Sequence, residues 1–275
     1  MTAHATFPGL LRSEWIKLWS LRSAWWCFGI AIVLIAGIAA LAAGAIGSFA
    51  GDATGAAAAS LAVQGSTVGT TVGELVFAVL GVLVISGEYS TGQIRSTFAA
   101  APKRSGALAA KVLLFGVVSF IVGAVAIGLS AGVSLLELPE AIRSTATGDA
   151  GYWLALLGAV GSLALCGVLS VLVGAIVRSV PAGIAIVVGL FFVVPVVLSI
   201  VGAITRQTWP SNLAAILPAG AASAMSSYNN PSNVYNDFSG DALWSFLPWQ
   251  GLAIFAGWVV LLWIAAEILT RHRDV

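Results

Sequence analysis

Six apolar runs alternate with shorter polar stretches along the chain, at residues 24–48, 68–86, 108–133, 153–177, 182–204 and 248–269. Each has about the 20 residues that an α-helix needs to cross roughly 30 Å of hydrocarbon. The pattern predicts an all-α polytopic membrane protein with six transmembrane helices in one domain. Only Ser179, Val180 and Pro181 separate spans four and five, which predicts a tight antiparallel hairpin.

The polar stretches differ in character. Residues 1–23 mix charges with aromatics, and Leu11, Trp15 and Leu18 fall at i, i+4, i+7. That spacing predicts an amphipathic interfacial helix carrying Lys17, interrupted only by Glu14 close to the apolar stripe. The run after it is too long for the core of a signal peptide, so the segment is expected to stay in the mature protein. Residues 51–67 read as a small-residue linker. Residues 87–107 form a basic loop between spans two and three, and residues 134–152 an acidic connection. Residues 205–247, rich in Pro, Asn, Ser and Trp, are expected to be extracellular or re-entrant. Their short apolar piece at 213–225 is too short for a seventh span.

Composition narrows the class. Of 275 residues 59% are hydrophobic and 8% charged, and the mean hydropathy is +1.02. An average soluble chain is about one quarter charged. The net charge of +1 gives no field for nucleic acid. Cys27 and Cys166 lie inside apolar runs and read as small hydrophobes. His4 and His272 sit at the two ends, far from any nucleophile or metal-ligand pattern, and no Gly-rich phosphate loop occurs. The chain is therefore not expected to be an enzyme or to bind a cofactor or metal itself. With six spans and both termini in the cytoplasm, ten of the twelve basic residues fall inside, leaving Arg143 and Arg206 outside. This satisfies the positive-inside rule and predicts a multi-pass protein of the cell (plasma) membrane.

Within the spans three features carry chemical interest. Gly65, Gly69 and Gly73 recur every fourth residue, with Gly81 on the same face, which suits close helix approach. Glu74 lies 12 residues before Ser86, roughly 18 Å of helix rise. A charge at such depth should face a bundle interior or a wet cavity, either as a pathway group or bonded to neighbouring threonines. Pro195 should kink span five, and Glu267 can pair with Arg271 at i+4. In the 87–107 loop, Ser90 or Thr91 can cap a helix that Pro102 ends. Ile94, Phe98 and Ala101 share one face of it, with Arg95 beside them. About ten residues cannot hold a helix alone, so a partner surface is required: a protein, or anionic lipid.

The segment GEYSTGQIRSTFAAAPKRSGALAAK at 87–111, with SEWIKLWSLRS at 13–23, resembles the membrane subunits of ABC-2 type transporters, particularly small actinobacterial ones. Gly87, Glu88, Tyr89, Gly92, Pro102, Lys103, Arg104 and Lys111 match the family pattern, whereas Gln93 stands where Thr is usual. The resemblance implies that the loop is a cytoplasmic coupling helix seated in an ABC ATPase, with Glu88, Tyr89, Gly92, Ile94, Arg95, Phe98, Pro102, Lys103 and Arg104 as the coupling residues. It further implies two ATPase subunits holding ATP and Mg, and a second six-span permease subunit, the same or different. The pathway would be lined by spans two and five, making Gly69, Gly73, Glu74 and Pro195 its candidate residues. An ATP-driven exporter permease is the function expected. A non-transporting anchor or signalling partner of an ATPase is the alternative, and an ion-driven secondary transporter a weaker one.

Overall fold

The computed structural model describes residues 6–49, 53–93, 104–228 and 243–272, and these form helices without strands. In chain order the helices are α1 (Phe7–Ser20), α2 (Arg22–Phe49), α3 (Gly55–Thr67), α4 (Thr70–Ser90), α5 (Arg104–Glu137), α6 (Glu140–Gly148) and α7 (Ala150–Val177). They continue as α8 (Val180–Val188), a π-helical turn (Gly189–Val193), α9 (Val194–Thr205), α10 (Trp209–Ile216), α11 (Pro218–Met225) and α12 (Pro248–His272). Six helical stretches are long and apolar enough to cross a membrane.

Helix α7 is the axis of the bundle. Of its most apolar stretch 67% is buried inside the protein, against 11% for α12, whose wall is largely open. It packs on α4, α5, α12, α11, α3 and α8. Small residues permit this: a Cβ added at Gly81 of α4 would stand 2.8 Å from the Gly167 carbonyl of α7. One core cluster joins α2, α4, α5 and α7 through Phe28, Phe77, Phe115 and Leu163. A second joins α7, α11, α12 and the π-turn through Leu169, Phe191, Met225 and Phe255.

Residues 55–67, read above as a linker, are the helix α3. Ala56–Ala59 and Ala62 have the highest helix propensity of any residue, so a small-residue stretch is helical once its face can be buried. Ala58, Ala59 and Ala62 are completely buried. Val68 and Gly69 keep helical dihedrals between α3 and α4, so 55–90 runs as one 36-residue apolar stretch. The glycine row is a contact with α2: a Cβ at Gly69 would lie 2.5 Å from the Ile35 carbonyl, and Gly73 is closed by the Ile35 and Leu163 side chains.

Span five is not a simple kinked helix. Val194 N–H bonds the Gly189 carbonyl, five residues back, in the π-turn that leads into Pro195. Proline supplies no N–H and its ring crowds the carbonyl four residues earlier, and the widened turn accommodates both. The apolar piece at 213–225 is two short helices, α10 and α11, parted at Leu217. Trp258 Nε1 of α12 donates to the Ile216 carbonyl at 2.9 Å, satisfying one acceptor at that break. The acidic connection contains α6, which packs on α3. Asp149 caps α7, accepting from Gly151 N at 2.6 Å and from the Tyr228 hydroxyl. That charged acceptor holds the phenol proton and raises the Tyr228 pKa.

Candidate functional site

Among the described residues, buried charges of both signs gather where α1, α4 and α5 meet. Glu14 and Lys17 come from α1, Glu88 from the last turn of α4, and Lys111 from the third turn of α5. Lys17 Nζ lies 2.7 Å from Glu14 Oε1 and 3.0 Å from Glu88 Oε1. Lys111 Nζ lies 2.9 Å from Glu88 Oε1 and also pairs with Glu14 Oε2. Glu14, Glu88 and Lys111 are about 95% buried, and Lys17 is half-buried. The two acids and two lysines neutralise one another, which is the condition for keeping charges out of water. Burial disfavours the Lys17 ammonium, but hydrogen bonds and charge from Glu14 and Glu88 outweigh it, and its pKa is raised from 10.5.

The buried face of the N-terminal helix differs from the stripe expected. The face turned to the bundle is Leu11, Glu14 and Leu18, while Trp15 points outward at 45% exposure. Glu14, which spoils the sequence stripe, is thus the centre of the buried face. Trp15, Trp19 and Trp25 form an aromatic row with centroid separations of 5.1 and 4.3 Å. Trp25 Nε1 donates to the Trp19 carbonyl at 3.2 Å, binding the end of α1 to the start of α2.

One turn of α4 carries this end of the molecule together. Beside Glu88, the Tyr89 ring lies under the Arg178 guanidinium, 5.1 Å from its carbon. Arg178 ends α7 in the left-handed conformation, with φ of 57°, and its Nη2 donates to the Leu269 carbonyl of α12 at 3.5 Å. The ends of α1, α4, α7 and α12 and the start of α5 are therefore linked through Glu88 and Tyr89. Gly92, at φ of 73°, turns the chain out of α4, a conformation that glycine adopts without strain. A cavity of about 210 Å³ opens beside the cluster, reaching Ser90, Thr91 and Gln93. Glu88 Oε2 is buried there with no hydrogen-bond partner among the described residues.

The residues expected to couple divide accordingly. Glu88 and Tyr89 lie in the last turn of α4 and Gly92 just beyond it; Lys17 pairs with Glu88, and Leu18 lines the same cavity. Ile94, Arg95, Phe98, Pro102 and Lys103 lie outside the described residues; Arg104 opens α5, its side chain likewise outside. Glu14 and Lys111 are the members that sequence reasoning did not assign to the site. A lone acid on the buried face of a helix, and a lone lysine inside an apolar run, were the available signals.

Of the residues expected along a pathway, Gly69 and Gly73 are closed against α2, and Pro195 follows the π-turn. Glu74 borders a cavity. Its Oε1 accepts from Ser162 Oγ at 3.0 Å, and Cys166 Sγ donates to its carbonyl at 3.2 Å. It sits near the middle of the 36-residue stretch 55–90.

Compared with models of known protein families and with curated proteins, the chain gives no match. Six apolar helices define the class, a multi-pass helical membrane protein. Within that class, the ion cluster is the feature that bears on the particular function.

Proposed function

We propose that the chain is the permease subunit of an ATP-driven exporter, working with a separate ATPase that docks on the 87–107 loop at the cytoplasmic face. The observation that carries this reading is the ion cluster. A loop that merely joins two spans has no need of buried charges on both its flanks. Here one flank carries Glu88 and the other Lys111, and both are locked to Glu14 and Lys17 of α1. A push on the loop is thereby delivered to α4, α5 and α1 at once, and through Tyr89 and Arg178 to α7 and α12. Such a push biases a packed bundle between discrete arrangements, since close-packed cores shift between states rather than deform continuously. The share of the basic residues found at this end supports placing it, and both termini, in the cytoplasm. ATP and Mg belong to the ATPase, two copies of which would serve two six-span subunits.

Phe98→Asp combined with Arg95→Ala tests the reading. In vesicles holding the complete complex, the double variant should hydrolyse ATP without exporting cargo, while the bundle keeps its thermal stability. Unchanged ATPase capture together with full transport would refute a coupling role for the loop.

A further inference from the structure

A cavity of about 330 Å³ lies between the α3–α4 segment and α11. Its polar wall includes Gln64, Thr67, Thr70, Thr71, Glu74 and Ser223, and Ile46 and Ala219 contribute apolar surface. Glu74 is 5% exposed and, among the described residues, has no ion pair. Its only side-chain hydrogen bond there comes from Ser162. Thr70 Oγ1, also buried, has no hydrogen-bond partner among the described residues. Among the described residues the wall thus presents one acid, several neutral oxygens and no cationic side chain.

A buried carboxylate with one neutral donor is a costly group that a cation of the right size would stabilise. The hydroxyl oxygens and the Gln64 amide oxygen can offer the negative ends of their dipoles to a cation, and the apolar wall suits carbon. The volume is at the lower end for ligand pockets, enough for a head group and too small for a peptide or a whole lipid. We propose that this cavity binds the cationic head of an amphiphilic organic cation, with Glu74 as its counter-ion. Calling that cation the exported cargo rests on the permease reading; its binding does not.

The full chain in lipid nanodiscs, without ATPase or nucleotide, tests this with radiolabelled benzyltrimethylammonium as the probe. Binding should be saturable and absent from empty discs. Glu74→Gln should weaken it by about tenfold or more, as for loss of one close charge pair. Glu74→Asp, which keeps the charge, should retain most of it. On the wild-type protein, benzyltrimethylammonium should also protect Glu74 from modification by dicyclohexylcarbodiimide, read by peptide mass spectrometry. Neopentylbenzene, its neutral isostere, and sodium chloride should not protect. Equal binding by Glu74→Gln, or equal protection by the isostere or by sodium alone, would overturn the proposal. Because no ATPase is present, either result stands apart from the fate of the permease reading.

Discussion

Replacing Lys111 by Met asks how firmly the loop's flanks are tied to α1. Lys111 is 5% exposed and holds Glu14 and Glu88 at once. Its loss would leave two buried carboxylates to share Lys17, which already contacts both at 2.7 and 3.0 Å. Breaking a buried ion pair by removing one partner costs about 3–5 kcal/mol. Lys17, still in contact with both acids, offsets part of this, so the lower bound of about 3 kcal/mol applies. Because α1 is held to α4 and α5 by this cluster and by Leu18, the loss should appear as local release of α1, not as general unfolding. Amide exchange in α1 should then quicken by about 100-fold, since each 1.36 kcal/mol is a factor of about ten. Exchange within α7, the buried axis, should change little. Hydrogen–deuterium exchange of the detergent-solubilised protein, resolved by peptide, makes the comparison. Rates in α1 within about twofold of the wild type would mean that the cluster does not hold the helix.

Two further outcomes are expected. Gly69→Ala places a methyl 2.5 Å from the Ile35 carbonyl and should destabilise by about 1–3 kcal/mol as an overpacked contact. Gly128→Ala, whose Cβ would meet nothing within 4 Å, should stabilise by up to about 1 kcal/mol through helix propensity; equal melting shifts for the two would contradict the packing described. Lys17 has a raised pKa, so its hold on Glu88 of α4 is complete below pH 10.5 and is lost as pH rises through the folded value. Exchange in α1, taken relative to that in α7 at the same pH, should quicken above the folded value, and less so in Lys17→Arg, whose guanidinium stays charged.

The six long helices were legible because an apolar run of some 20 residues, in a chain so poor in charge, has the length a helix needs to cross a bilayer. What escaped reading depends on partners distant in sequence. Glu14 meets Lys111 across 97 positions, and nothing local to either announces the other. Helix α3 was hidden because Ala, Gly and Ser suit both a linker and a tightly packed helix; only the facing surface, Ala43 of α2 and Ser134 of α5 beside Gly65, decides between them. Proline announced a disturbance in span five, but whether a kink or a π-turn follows depends on the hydrogen bonds its neighbours can still make. Glu74 was legible as a carboxylate needing an interior, and the neutral wall opposite it was not, since Ser223 lies some 150 positions away.

The central claim is that the flanks of the 87–107 loop, braced by Glu14, Lys17, Glu88 and Lys111, carry force from an ATPase into the bundle. Native mass spectrometry of the complex isolated intact from its own membrane tests it most directly. The account predicts two six-span subunits with two ATP-binding subunits. A chain that emerges alone or with no ATP-binding partner, under conditions that preserve other membrane complexes, would contradict it.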